Sequence, residues 1–131
     1  MKEPIWIDLR DALTLHDRLL VLHGGAAGLR DGGLLESALA RPRQHLVYSN
    51  AVDIIDLAAL YIAGIVRNHP FVDGNKRTGF VVGVLFLELN GYRFTATEED
   101  AAQTILALAA DQLDDVELTA FLRANATRGS A

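Results

Sequence analysis

The chain has 131 residues, 50% of them hydrophobic, and a formal net charge of −5 at pH 7. This length fits one domain with an ordinary hydrophobic core, and an acidic chain without a basic stripe lacks the charge to neutralise nucleic-acid phosphates. The absence of cysteine excludes disulfides and thiolate metal sites.

The sequence shows neither a signal core nor a membrane-spanning segment. Its start, MKEPIWIDLRD, has no apolar run. The longest apolar run, residues 79–87, is far shorter than the about 20 residues that a spanning helix needs. We therefore expect a soluble, cytoplasmic protein that binds no membrane and no nucleic acid directly.

Helical patterns account for most of the first third of the chain. Residues 5–7 favour a short strand, and Asp8 is placed to cap a helix that ends at Gly24. Helix formers resume after a glycine-rich loop, and we predict that Pro42 ends or restarts that helix. Residues 43–50 admit either a helical turn or a small extended flap.

Two apolar segments in the middle of the chain predict buried helices. The first begins after Asp53, and the second covers residues 76–89, before a helix stop at Asn90-Gly91. Both are apolar on most faces, which is typical of helices in the middle of a bundle.

The last third predicts one extended segment and two further helices. Residues 92–94 are predicted to be extended, and the helices begin at Thr97 and at Asp114 or Asp115. We expect residues 126–131 to form a frayed tail.

The predicted fold is a mainly α-helical, compact bundle with two buried central helices. The sequence has no repeats, low-complexity blocks or linkers, which favours a single domain over residues 1–131. The loop HPFVDGN joins the two central helices. A loop held by a rigid scaffold is where binding residues tend to be found.

The end of this loop has the composition of an anion site. Gly74 lets the backbone approach a ligand, and Asn75 is a preferred N-cap residue. The free N–H groups of the following turn favour a phosphate. The helix dipole disfavours cations such as Lys76 and Arg77 at this position unless an anion is bound.

Two further groups suit phosphate transfer. Asp73 is a hard carboxylate of the kind that Mg²⁺ binds, and His69 has a side chain that can take a proton from a hydroxyl. Each feature also has a structural explanation, since Asp-Gly-Asn makes a turn and a Lys-Arg pair is common on surfaces. The residues alone leave both interpretations open.

The stretch HPFVDGNKR resembles the signature of the Fic/Doc superfamily, HxFx(D/E)GNxR. Lys76 makes the motif resemble the Doc (death-on-curing) branch of this superfamily. Phe80 does so too, because it stands where Fic nucleotidyl transferases carry a second arginine. Gly74 follows the general Fic pattern. The segments LHDRLLVLHGG, GLRDGGLLESALARP and VLFLELNGY extend the resemblance over roughly residues 5–122.

The resemblance implies the α-helical Fic/Doc fold and a Doc-like toxin of a toxin–antitoxin system. It implies a protein kinase that uses ATP and Mg²⁺ and transfers the γ-phosphate to a Ser/Thr hydroxyl of a translation factor, elongation factor Tu, and so inhibits translation. The implied partner is the C-terminal segment of a Phd-like antitoxin. The alternatives are a Fic-type nucleotidyl transferase that AMPylates a protein hydroxyl and an inactive antitoxin-binding module.

The resemblance also implies roles for individual residues. His69 would be the catalytic base, Asp73 the Mg²⁺ ligand and Phe71 a core residue that orients the loop. Residues 46–50 would be a flap that docks the target, and we add Arg67 as a possible accessory for a phosphate or the antitoxin. The nucleotide phosphates would be held by Gly74, Asn75, Lys76 and Arg77.

Other residues with chemical potential are given structural roles. His16 and His23 lie seven residues apart on one helix face and could be two metal ligands, but no carboxylate is clearly placed with them to complete a metal site. We therefore expect surface or interfacial histidines there. Trp6 is expected to anchor the core.

Overall fold

The computed structural model describes residues 2–49 and 51–129 of the protein. Within them it has six helices and two short strands, and the prediction of a mainly α-helical fold is confirmed. In chain order the elements are α1 (Leu9–His23), α2 (Gly32–Tyr48), α3 (Ile54–Asn68), α4 (Asn75–Leu89), β1 (Tyr92–Phe94), α5 (Glu98–Ala109), α6 (Asp115–Ala124) and β2 (Ala126–Arg128).

Helix α3 forms the centre of the core, as its apolar sequence predicts. Every side chain from Tyr61 to Val66 is buried, and α3 packs against α2, α4 and α6. Helix α4 buries one stripe of residues, and its remaining apolar side chains are mostly half-buried. The prediction of two buried central helices is therefore confirmed.

Two glycines of α4 let it approach α3 closely. A Cβ atom at Gly79 would lie 3.0 Å from Cγ2 of Val66, and one at Gly83 would overlap with the side chain of Ile62. Close packing of this kind fixes the relative position of the two helices. Both ends of the connecting loop are therefore held by two helices whose relative position is fixed.

Side-chain oxygens cap most of the helix N-termini, and this agrees with the predicted helix starts. The caps are Asp8 for α1, Asp31 for α2, Asp53 for α3, Thr97 for α5 and Asp114 for α6. At the other ends, Gly24 follows α1 and Asn90 follows α4, as predicted.

Arg123 on α6 also binds the start of α3. One of its nitrogens lies 2.7 Å from Oδ2 of Asp53, and another lies 3.3 Å from Oδ1 of Asp56. Burial raises the pKa of Asp53, but hydrogen bonds from Arg123 and from the backbone of Asp56 outweigh it and lower the pKa to about 2. Asp53 is therefore ionised at neutral pH.

Helix α2 continues through Pro42, so the prediction that this proline ends or restarts the helix is wrong. Proline removes one backbone hydrogen bond from a helix interior. Here Pro42 is buried and α2 packs along α3, which offsets that loss. The flap predicted at residues 46–50 is helical as far as Tyr48, and Asn50 lies outside the described residues.

Both ends of the chain also differ from the predictions. Residues 5–7 form no strand, and the N–H of Ile7 donates to the hydroxyl oxygen of Tyr61, 3.0 Å away. The tail predicted to be frayed pairs with β1 as far as Arg128, which gives the edge of β1 a partner. Ser130 and Ala131 lie outside the described residues.

The buried side chains form one hydrophobic cluster that extends from Ile7 to Leu122. This cluster supports a single domain over residues 1–131, which stays a prediction. Trp6 is half-buried at its edge, where it stacks on Phe86 at a centroid distance of 5.9 Å. In the described part of the chain, no helix has the length and hydropathy needed to cross a bilayer.

Candidate active site

The loop between α3 and α4 brings most of the predicted site residues to one pocket. The pocket has a volume of about 280 Å³. Its lining residues are His69, Asp73, Gly74, Asn75, Lys76 and Arg77. The loop leaves α3 through His69 in the left-handed conformation (φ 55°) and enters α4 through Gly74, also left-handed (φ 81°). Gly74 adopts this conformation readily, and it is uncommon for a histidine.

Asn75 fastens the loop to itself and does not cap α4. It is the first residue of the helix and is buried, so its predicted position as N-cap is wrong by one residue. Its Oδ1 accepts the N–H of Phe71 at 2.8 Å, and its Nδ2 donates to the carbonyl oxygen of Phe71 at 2.9 Å. Its amide is therefore committed to the loop backbone.

The same amide determines the tautomer of His69. Nδ2 of Asn75 lies 3.1 Å from Nδ1 of His69. Because the N–H of Phe71 must meet the amide oxygen of Asn75, the nitrogen of that amide is the donor toward His69. Nδ1 of the ring is thus the acceptor, and the proton of the neutral imidazole lies on Nε2. The ring itself is exposed to solvent.

The N-terminus of α4 has no side-chain cap among the described residues. The cap position is held by Gly74, which has no side chain, and the first turn contains Lys76 and Arg77 in place of carboxylates. Both cations are exposed, and neither forms a salt bridge within the described ranges. Free N–H groups, the helix dipole and two cations together attract an anion.

Asp73 presents an oriented carboxylate beside this helix end. Oδ2 accepts the N–H of Ala26 at 3.2 Å, and Oδ1 accepts the N–H of Gly74 at 2.8 Å. The hydrogen bond from Ala26 has the largest effect and the one from Gly74 the next, and together they hold the pKa of the Asp73 carboxyl below its usual range. The group is therefore ionised at neutral pH.

The loop offers one carboxylate, which suits Mg²⁺ better than it suits a metal ion that is ligated entirely by protein side chains. Mg²⁺ usually takes one or two protein carboxylates and completes its shell with water and phosphate oxygens. The described residues contain no group of three His, Asp or Glu side chains that would hold a metal ion without a substrate. Asp73 is a single exposed carboxylate, so it would leave most positions around such an ion open to water and phosphate oxygens.

His16 is buried beneath the loop, so the prediction of a surface or interfacial histidine is wrong for its surface part. It is 3% exposed, its Nε2 lies 2.7 Å from the carbonyl oxygen of Asp73, and its ring stacks on Phe71 at a centroid distance of 3.7 Å. Phe71 is buried, as predicted. The available signal was the position of His16 on the apolar face of α1. His23 is exposed, as expected.

Arg30 is a second loop contact that the sequence analysis missed. Its Nε donates to the carbonyl oxygen of His69 at 2.7 Å, and one Nη donates to that of Asn68 at 3.0 Å. These carbonyls end α3, where helices leave such groups unsatisfied. A lone arginine in a loop carries no sequence signal for this role.

Arg67 is not among the residues that line this pocket. Its guanidinium forms a salt bridge with Asp115 on α6. The structure thus gives Arg67 a partner in the scaffold and does not bring it to the proposed phosphate site.

The sequence matches the Fic/DOC family over residues 6–87, which is more than half of the chain. The chain belongs to the Fic/DOC family. It is 31% identical to Protein kinase doc of Escherichia phage P1 over 99 residues, which cover 76% of this chain and 79% of that protein. It is 34% identical to Toxin Doc of Mycolicibacterium smegmatis over 129 residues, which cover 93% of this chain and 97% of that protein. The predicted Doc branch of the Fic/DOC family is confirmed.

Proposed function

We propose that this chain is the toxin of a toxin–antitoxin system and acts as a protein Ser/Thr kinase. One observation carries the proposal: the uncapped N-terminus of α4 presents Lys76 and Arg77 in the same pocket as His69 and Asp73. The relatives named as a toxin and as a protein kinase support it.

The phosphates of ATP would bind at the start of α4. Lys76 supplies a compact positive charge, and Arg77 supplies a planar fork of donors that matches phosphate oxygens. Gly74 lets the substrate approach the backbone N–H groups. Asp73 would hold Mg²⁺, which, when bound, neutralises charge on the phosphate oxygens during transfer.

His69 would remove the proton from the attacking Ser/Thr hydroxyl. In the structure Nδ1 lies against the amide of Asn75, which places the proton of the neutral ring on Nε2 by the donor and acceptor pattern described above. The ring must therefore release Asn75 before it accepts a proton, because accepting at Nδ1 needs that nitrogen free, and moving the proton from Nε2 to Nδ1 would place two donors against each other. The exposure of the ring leaves room for this change.

The target we propose is a translation factor, elongation factor Tu, whose phosphorylation inhibits translation. The partner we propose is the C-terminal segment of a Phd-like antitoxin. An amphipathic helix suits the groove of about 530 Å³ between the N-terminal segment and α2, which has a mainly apolar lining that includes Trp6 and Val47. Co-purification with the antitoxin tests this, and we expect Val47→Glu to abolish it.

A protein nucleotidyl transferase is the second candidate, since Gly74 follows the general Fic pattern. The structure gives a reason to rank it below the kinase. The position of the second Fic arginine is Phe80, which packs edge-on against Phe94 at a centroid distance of 5.5 Å. An aromatic side chain in that cluster supplies no charge to the substrate phosphates.

A transfer assay distinguishes these functions. Purified protein, Mg²⁺ and elongation factor Tu would be incubated in parallel with γ-labelled and α-labelled ATP, and the intact mass of the target would be read. We expect label from the γ position only, lost in His69→Ala and Arg77→Ala and retained in Arg67→Ala. Circular dichroism would show that the inactive variants keep their fold.

The other outcomes have separate meanings. Label from the α position would replace the kinase with a nucleotidyl transferase. Absence of transfer to elongation factor Tu and to the proteins of a host lysate, together with tight antitoxin binding, would replace it with an inactive binding module. Wild-type transfer by His69→Ala would refute the assignment of the base.

A further inference from the structure

We propose that His16 of α1 is a positioning residue of this site, which sets the orientation of Asp73 through its main chain. The inference rests on the proposed function, because the orientation of Asp73 matters to a reaction that uses its carboxylate. Neither the family match nor the names of the relatives assign a role to this histidine.

His16 donates a hydrogen bond to the main chain of Asp73. A carbonyl oxygen only accepts, so Nε2 of His16 must carry a proton to bond to the oxygen of Asp73 at 2.7 Å. The ring also lies under the next residue of the turn, since a Cβ atom at Gly74 would be 3.5 Å from Nε2. His16 therefore supports the turn from below.

His16 also stacks on an aromatic ring of the loop. The rings of His16 and Phe71 are almost parallel, at 8°, with a centroid distance of 3.7 Å. The backbone of Phe71 is held by Asn75, and the amide of Asn75 contacts His69. One side chain of α1 thus contacts both ends of the segment between the proposed base and the start of α4.

The position of the main chain of Asp73 determines where its carboxylate lies. The N–H groups of Ala26 and Gly74 bond to the two carboxylate oxygens. The bond from Ala26, in the connection after α1, requires the main chain of Asp73 to stay at its present position relative to the end of α1, and the bond from Gly74 is local and depends on the order of the turn itself. The bond from His16 ties this main chain directly to α1.

A simple packing role makes a different prediction. If His16 only fills space, phenylalanine should replace it well, because phenylalanine retains the ring. If the Nε2 donor is what matters, glutamine should replace it better, since its amide nitrogen can reach a similar position. His23→Phe is a matched control, because this histidine lies on the same helix and is exposed.

The test is amide hydrogen exchange of Ala26 and Gly74 in the protein without nucleotide or target. Loss of the hydrogen bond in His16→Phe should speed exchange at both amides by about tenfold, and His16→Gln should restore most of the protection. Unfolding midpoints measured in parallel separate a local change from a global one. In the transfer assay, His16→Phe should lower kcat by about tenfold and leave KM for the protein target unchanged.

Three outcomes would overturn the proposal. They are wild-type exchange in His16→Phe, better protection in His16→Phe than in His16→Gln, and a proton on Nδ1 with none on Nε2 of His16 in a ¹⁵N spectrum of the unmodified protein. The last measurement applies even if no variant folds. Exchange needs neither ATP nor a target, so a failed kinase assignment is distinguishable from a failed role for His16.

Discussion

The substitution Asn75→Ala tests whether this residue fastens the loop or binds the nucleotide. Its amide satisfies the N–H and the carbonyl oxygen of Phe71, at 2.8 and 2.9 Å, in a buried position. Alanine leaves both groups without these partners, and each unmet buried group costs about 1–3 kcal/mol. We expect the free energy of unfolding to fall by about 2–4 kcal/mol, once relaxation and entry of water have lowered the sum.

Urea denaturation followed by circular dichroism measures this effect. With a slope of about 2 kcal/mol per molar urea, the midpoint should fall by roughly 1–2 M. Lys76→Ala is the matched comparison, because this neighbouring side chain is exposed, and its stability should stay within about 0.5 kcal/mol of wild type. Both variants should lose phosphate transfer, for different reasons.

An Asn75→Ala variant that unfolds at the wild-type midpoint and yet transfers no phosphate would contradict this structural role. That result would mean that the amide acts on the nucleotide directly. Asn75→Asp adds a check, because it retains an acceptor for the N–H of Phe71 and loses the donor. At neutral pH its stability should fall at least as far as that of Asn75→Ala, because a buried carboxylate would place an oxygen against the carbonyl oxygen of Phe71.

Three further predictions concern the scaffold. Arg123→Ala should lower the free energy of unfolding by about 1 kcal/mol at pH 7, because it removes a partly exposed ion pair that lowers the pKa of Asp53 to about 2. A carboxyl whose pKa is lower in the folded than in the unfolded protein stabilises the fold at pH values above the unfolded pKa, so the difference in urea midpoint between variant and wild type should disappear as pH falls from about 4 to 2. A difference that stays constant over this range would contradict the prediction. Gly83→Ala should destabilise by about 1–3 kcal/mol, because the added methyl group overlaps with an isoleucine of α3, and an unchanged melting temperature would show that the helices separate freely. Arg67→Ala should retain full transfer, since Arg67 pairs with Asp115 away from the pocket, and a loss of kcat without a loss of stability would return it to the site.

The helices could be predicted because their local signals agree with their burial. Asp53 provides a cap and is followed by an apolar run, and Asn90 provides a stop, so the limits of α3 and α4 are close to the predicted ones. The pocket residues were predictable because they come from one continuous stretch of the sequence. Their individual roles depend on side-chain geometry, and Asn75 is the residue whose role changed most.

The features that were missed depend on contacts between distant parts of the chain. The burial of His16 is decided by Asp73, 57 residues later, and Arg30 finds its acceptor in His69, 39 residues later. Helical periodicity extends only over a few turns and carries no such information. Pro42 was misjudged for a related reason, because packing against α3 outweighs a local helix-breaking tendency.

The contacts that hold the loop from α1 and the connection after it have a consequence for the timing of activity. His16, Ala26 and Arg30 reach the loop across 57, 47 and 39 residues of chain. The motif therefore lacks its working geometry in any short fragment, and during synthesis it gains that geometry only after α1, α3 and α4 have left the ribosome and packed. On the proposed function, we expect a nascent chain to transfer no phosphate until that moment, and we expect proteolytic removal of α1 to abolish transfer while every motif residue remains in place.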